Sequence, residues 1–141
     1  MSAVDFIESV SLKSIRPEKL ISNYDRSTVC PGEKEIKLTL QSSYGQDKSE
    51  LNKYVLKFSA CTEVFEDKSQ KELVSVTFET HYLFDIINAD RIKNISDEDR
   101  TAISSSMVFL DFRTRLIRIL ADVGLNSVKV PLSPINAQTS E

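Results

Sequence analysis

The sequence predicts an α+β domain: a four-stranded antiparallel β-sheet with one long C-terminal helix packed along it. Four segments before residue 87 alternate apolar and polar residues with period 2. Beyond residue 96 the period becomes helical. Only three glycines and four prolines interrupt the 141 residues, which favours long regular elements over a loop-built chain. A chain of this length makes about one domain.

The strands come first. Segment 1–16 sets Val4, Phe6, Val10 and Leu12 against Asp5, Ser9, Ser11 and Lys13. Segment 34–41 sets Ile36, Leu38 and Leu40 against Glu35, Lys37, Thr39 and Gln41. Segment 54–65 opposes Tyr54, Leu56, Phe58, Ala60 and Val64 to Lys57, Ser59 and Glu63. In segment 73–86, Val74, Val76, Phe78, Tyr82, Phe84 and Ile86 alternate with Ser75, Thr77, Glu79 and His81. Successive strand side chains point to opposite faces, and strands wet on one face belong to antiparallel sheets. Residues 45–49 and 66–71 are polar, hairpin-like connections. Residues 17–32 make a longer one, with a Cys30-Pro31-Gly32 turn signal.

The helix is predicted over 97–123, roughly 40 Å at about 1.5 Å per residue. Ser96 and Asp99 have capping-box spacing, Asp97, Glu98 and Asp99 suit the positive end of the dipole, and Gly124 suits the stop. Strands of about 10 to 13 residues are comparably long, so the helix can lie along the sheet. It carries two apolar stripes, one of Ile103, Met107, Leu110, Ile117 and Ala121. The other holds Val108, Phe109, Phe112, Leu116, Ile119 and Val123. A surface helix needs one. The second predicts a sandwiched helix, with Val108, Phe109, Phe112, Leu116 and Ile119 as the expected oligomer interface. On that reading Phe112→Asp breaks assembly or polypeptide binding while the sheet persists.

Area points the same way. Four strands about 4.8 Å apart span roughly 19 Å, and one helix covers about 10–12 Å. Half of the apolar face stays bare unless a second copy covers it, or residues 17–32 and 85–95 fold back over it. A bare apolar face of that size marks an interaction site.

Composition narrows function by exclusion. Eighteen basic and 21 acidic side chains leave a charge of −3, without the clustered basic face that duplex nucleic acid requires. No apolar run approaches the roughly 18–20 residues of a membrane span, and the N-terminus lacks a basic signal-peptide region. A cytoplasmic protein is expected. Cys30 and Cys61 form no CxxC and have no partner at metal-ligand spacing, so free thiols and no metal are expected. The lone His81 has no nucleophile in pattern with it, and no phosphate-binding glycine motif occurs. A non-enzyme without cofactors is expected. Arg113, Arg115 and Arg118 read as a solvated helix flank, on which Arg115 and Arg118 can pair locally with Asp111 and Asp122; contact with an acidic partner is the alternative. Pro131 and Pro134 force an extended course after the helix, and residues 137–141 read as a frayed tail.

This order of elements resembles the SecB family of bacterial export chaperones. Pro134-Ile135-Asn136 resembles that family's Pro-Val-Asn near the end of its core. Leu83-Phe84-Asp85-Ile86 resembles its Ile-Phe-x-Ile segment, residues 35–40 resemble its second strand, and Phe112 stands where its helix usually carries Tyr. The resemblance spans roughly residues 6–136. It implies a single SecB-like domain assembling as a homodimer or homotetramer, and an ATP-independent holdase that captures unfolded or pre-secretory polypeptides in apolar grooves. It implies Ile36, Leu38, Leu40, Phe84, Phe112 and Leu132 as peptide-binding residues. It also implies protein export through the SecA translocase motor, docked on an acidic patch. Glu18 matches one such acidic position, whereas Ser14 and Thr77 stand where acids are expected. The glycine pair before the Ile-Phe segment is replaced by His81-Tyr82. The alternatives are a SecB-like adaptor dedicated to one partner, such as an antitoxin or a phage protein, and a non-enzymatic structural interaction protein.

Overall fold

In the computed structural model, residues 3–24, 34–46, 49–66, 72–125 and 128–131 are described. The elements are α1 (Ala3–Ser9), β1 (Val10–Tyr24), β2 (Lys34–Gly45), β3 (Lys53–Glu66), β4 (Glu72–Ile86), α2 (Ala89–Ile92) and α3 (Asp97–Asp122). The four strands form one antiparallel sheet in the order β1-β4-β3-β2, with α3 over β2, β3 and β4. This is the predicted class. Strand β2 runs to Gly45 rather than 41, while β3, β4 and α3 meet their expected limits within one residue.

The first strand is the largest departure. Residues 3–9, expected within a strand over 1–16, form a helix instead. Its buried residues are Phe6 and Ser9, one helical turn apart, and the Ser9 hydroxyl donates to the Asp5 carbonyl four residues back. Strand β1 then continues through the region expected to be a long connection, as far as Tyr24. Pro17 is tolerated because β1 is an edge strand, where a missing N–H breaks no interior ladder. Two irregularities, between Leu12 and Ser14 and between Pro17 and Lys19, each shift the register. The residues facing Phe84, Tyr82, Phe78 and Val74 are therefore Leu12, Ile15, Leu20 and Tyr24. An extra residue flips side-chain parity, so even positions face the core, then odd, then even again.

The even-numbered face of β3 and β4 is the core, as the alternation predicts. Its centre is aromatic: Phe112 of α3 stacks on Phe58 of β3, with ring centroids 4.4 Å apart, and on Phe78 of β4, at 5.2 Å. Ser96 caps α3, its Oγ accepting from the Asp99 amide at 3.1 Å. At the other end Gly124 has φ +78°. The Leu125 amide donates to the Leu120 carbonyl at 2.8 Å and the Gly124 amide to that of Ala121 at 3.0 Å. This paired closure uses the left-handed conformation that glycine adopts without penalty.

Helix α3 crosses the sheet diagonally. Near its start the Arg100 Nη1 donates to the Tyr44 hydroxyl of β2 at 3.1 Å, and Ser104 shares a 2.9 Å hydrogen bond with Tyr54 of β3. Past its end, a Cβ on Gly124 would stand 3.8 Å from the Tyr24 hydroxyl of β1. The 85–95 stretch does fold back: Ile92 and Ile95 are buried, and Arg100 holds it by donating to the carbonyls of Ile92 at 2.7 Å and Ile95 at 3.1 Å. Beyond α3 the chain returns beside the helix, with Val130 buried and the Arg113 Nε donating to the carbonyls of Val130 and Pro131. Leu132, the Pro134–Asn136 motif, the 137–141 tail and Cys30 lie outside the described residues.

Candidate functional site

The two stripes of α3 divide the molecule. Val108, Phe109, Phe112 and Leu116, expected at an oligomer interface, are buried against the chain's own sheet, and Ile119 is half-buried on the same core. The diagonal crossing aims them inward, so their apolar area is used within the chain. Phe112→Asp accordingly strikes the core rather than an outer surface. The stripe facing away from the sheet is the other one. Leu110 is 66% exposed, and Met107 and Ile117 are exposed beside it.

The residues expected to bind peptide fall into two groups. Phe84 and Phe112 are buried, Phe84 stacked on Tyr54 with centroids 4.7 Å apart and planes 1° from parallel. Leu38 and Leu40 are half-buried on the core, whereas Ile36, at the far end of β2, is 43% exposed. The structure thus does not bring Ile36, Phe84 and Phe112 to one open surface.

The open apolar surface lies on the opposite edge. Because α3 sits over β2, β3 and β4, the core-side residues of β1 are left uncovered: Leu12 is 42% and Leu20 57% exposed, with Tyr24 exposed and Ile15 half-buried between them. Their register places them beside Phe84, Tyr82, Phe78 and Val74, so the strip is the continuation of the core floor into solvent. Each such side chain gains roughly 1.5–3 kcal/mol when fully buried. Sequence reasoning missed Ile15 because the first register shift changes its parity, and Leu20 and Tyr24 because residues 17–32, opening on Pro17, read as a connection rather than a strand. The visible signal was Leu12, Ile15 and Leu20 spaced three and five apart around Pro17.

A polar rim borders the strip where α3 faces β1. The Tyr82 hydroxyl donates to Asp111 Oδ2 at 2.8 Å, and the Arg115 Nε donates to the same oxygen at 2.7 Å. Burial, reinforced by the hydrogen bond to Asp111, pushes the Tyr82 phenol far above its ordinary range. The bond to Asp111 strengthens Arg115's hold on its proton. Burial likewise raises the Tyr54 phenol. Neutral tyrosines and a locally neutralised arginine give this rim no net charge with which to select a charged ligand.

The opposite face of the sheet is wet and mixed in charge. His81 lies there, as predicted, its Nε2 2.9 Å from Glu79 Oε2 and its Nδ1 3.6 Å from Glu18 Oε1. Glu18 is also held by Arg16 at 2.6 Å, and Lys19 stands opposite Glu79 in the register. Ser14 and Thr77, where acids are expected, face Leu83 and Ile21. Among the described residues no cluster of His, Cys, Asp or Glu is arranged to hold a metal. Cys61 is a free thiol. Among the same residues no helix is long and apolar enough to cross a membrane.

No protein-family model matches the chain, and no curated protein matches it. Among solved structures it is similar to the Mycobacterium tuberculosis Rv1957 SecB-like chaperone, in complex with a ChAD peptide from the Rv1956 HigA1 antitoxin. The superposition has a TM-score of 0.64 at 14% identity and covers 93% of this chain and 92% of that one. Four antiparallel strands in the order β1-β4-β3-β2 beneath one long helix, matched over nearly the whole of both chains, make this a SecB-like fold.

Proposed function

We propose that this chain is an ATP-independent chaperone that holds polypeptides in an extended, unfolded state, with no catalytic step. The observation that carries the reading is the uncovered strip on β1, where Leu12, Leu20 and Tyr24 extend the apolar core floor into solvent beside α3. A shallow apolar strip with an electrically balanced rim suits many sequences, because aliphatic and aromatic surfaces discriminate weakly among apolar side chains. Ile36, Leu38 and Leu40 offer a smaller contact at the other edge, and Leu132 belongs to the same proposal.

A monomer rarely leaves a stripe such as Met107, Leu110 and Ile117 bare. We assign it to self-association in a homodimer or homotetramer. Two copies of α3 pack antiparallel about a two-fold axis, so each contact is made twice.

The solved neighbour, bound to a peptide from an antitoxin, favours a second reading: an adaptor dedicated to one partner in the cytoplasm. The two readings separate experimentally. A holdase keeps several unrelated reduced or heat-unfolded proteins from aggregating without ATP and ignores their folded forms. A dedicated adaptor protects one partner only. Protein export through SecA would require the outer sheet face to dock the motor, and there Glu18 is already occupied by Arg16. Charge reversal of Glu18 that leaves SecA-dependent delivery intact would count against that route.

A further inference from the structure

One end of the sheet carries an aromatic floor. Tyr54 stacks on Phe84 and meets Tyr44 at 4.8 Å, and Leu12 of the open strip lies next to Phe84 in the register. Above it sits Phe6 of α1, fully buried, its ring 6.0 Å from that of Tyr54 and tilted by 51°. The helix that delivers Phe6 is weakly held. Seven residues are too few to be helical alone, only Phe6 and Ser9 of them are buried, and Val4 and Ile7 are exposed.

An apolar groove of about 320 Å³, lined by Ala3, Ile7, Ala102, Ile103, Ser106 and Met107, separates α1 from α3. The fixed point is the last residue, Ser9, whose carbonyl accepts from the amides of Ile87 at 2.7 Å and Asn88 at 3.3 Å. Ahead of that hinge Arg91 ties α1 to the body of the domain, 2.7 Å from Asp5 and 3.0 Å from Glu8, all three side chains partly exposed.

We infer that α1 is a built-in competitor for the polypeptide site: Phe6 fills an aromatic seat continuous with the open strip, Arg91 latches it, and an aromatic side chain of the bound polypeptide takes its place. The inference rests on the chaperone reading. It makes the empty protein partly self-covered, so that apparent affinity falls by the fraction of molecules in which the seat is closed.

The test is the affinity of the full chain for a fluorescent, reduced and carboxymethylated lactalbumin, with hydrogen exchange of residues 3–9 followed in parallel. Arg91→Ala, and separately Asp5→Ala with Glu8→Ala, should speed that exchange and tighten binding roughly threefold to tenfold. Faster exchange with unchanged or weaker binding would overturn the competitor role. Unchanged exchange would overturn the latch. Absence of binding by the wild type and both variants would instead defeat the chaperone reading itself.

Discussion

Phe112 shows how far one residue can be read from sequence. Its place on an apolar helix stripe was legible, but which stripe turned inward was not, since both are large enough to pack. Geometry decides: the ring lies between Phe58 and Phe78. Phe112→Ala should therefore cost about 3–5 kcal/mol, read as a lower urea midpoint, with the far-ultraviolet spectrum of any folded fraction unchanged. Tyr54 and Tyr82 make a second prediction. Burial is the main cause of both raised phenols, so the folded state holds these protons more tightly than the unfolded chain. Their contribution is fully present below the unfolded tyrosine value, about pH 10, and is lost as pH climbs above it. Stability should fall by up to about 1.4 kcal/mol per pH unit for each tyrosine, and Tyr82→Phe should make that fall shallower in urea titrations above about pH 10.

At the level of elements, β3, β4 and α3 were readable because each obeys one period from end to end and α3 carries its own stops, Ser96 and Gly124. Strand β1 was not. Its first register shift moves Ile15 onto the face of Leu12 and its second returns Leu20 to that face, a pattern that resembles neither period. Residues 3–9 fit a strand pattern as well as a helical one, and tertiary contacts through Phe6 and Ser9 decide. The two faces of α3 give opposite expectations. Leu110→Asp on the outward stripe should leave the melting temperature within a few degrees while reducing the native mass to that of a monomer in light scattering. Leu120→Asp on the inward side should prevent folding. A native mass unmoved by Leu110→Asp would refute assembly through this stripe.

For the whole molecule, one helix does not cover four strands: α3 lies over β2, β3 and β4 and leaves Leu12, Leu20 and Tyr24 of β1 exposed. The stretch after β4 and the return past Gly124 close part of the gap, through Ile92, Ile95 and Val130. The strip that stays open lies on β1, opposite the β2 edge favoured by the family resemblance. That difference follows from the direction of α3, which no residue pattern encodes and which tertiary packing, that of Phe112, Ser104 and Tyr82 among it, sets. Because Leu12 and Leu20 are exposed on that edge, substituting them should leave the fold intact. The direct measurement is the affinity for reduced, carboxymethylated lactalbumin of the wild type and of a Leu12→Ser, Leu20→Ser double variant, with thermal melts of both. We predict at least about a tenfold loss of affinity, the minimum expected from about 1.5 kcal/mol of lost burial, and a similar melting temperature. Equal affinity in the two proteins would contradict the assignment of β1 as the polypeptide-binding surface.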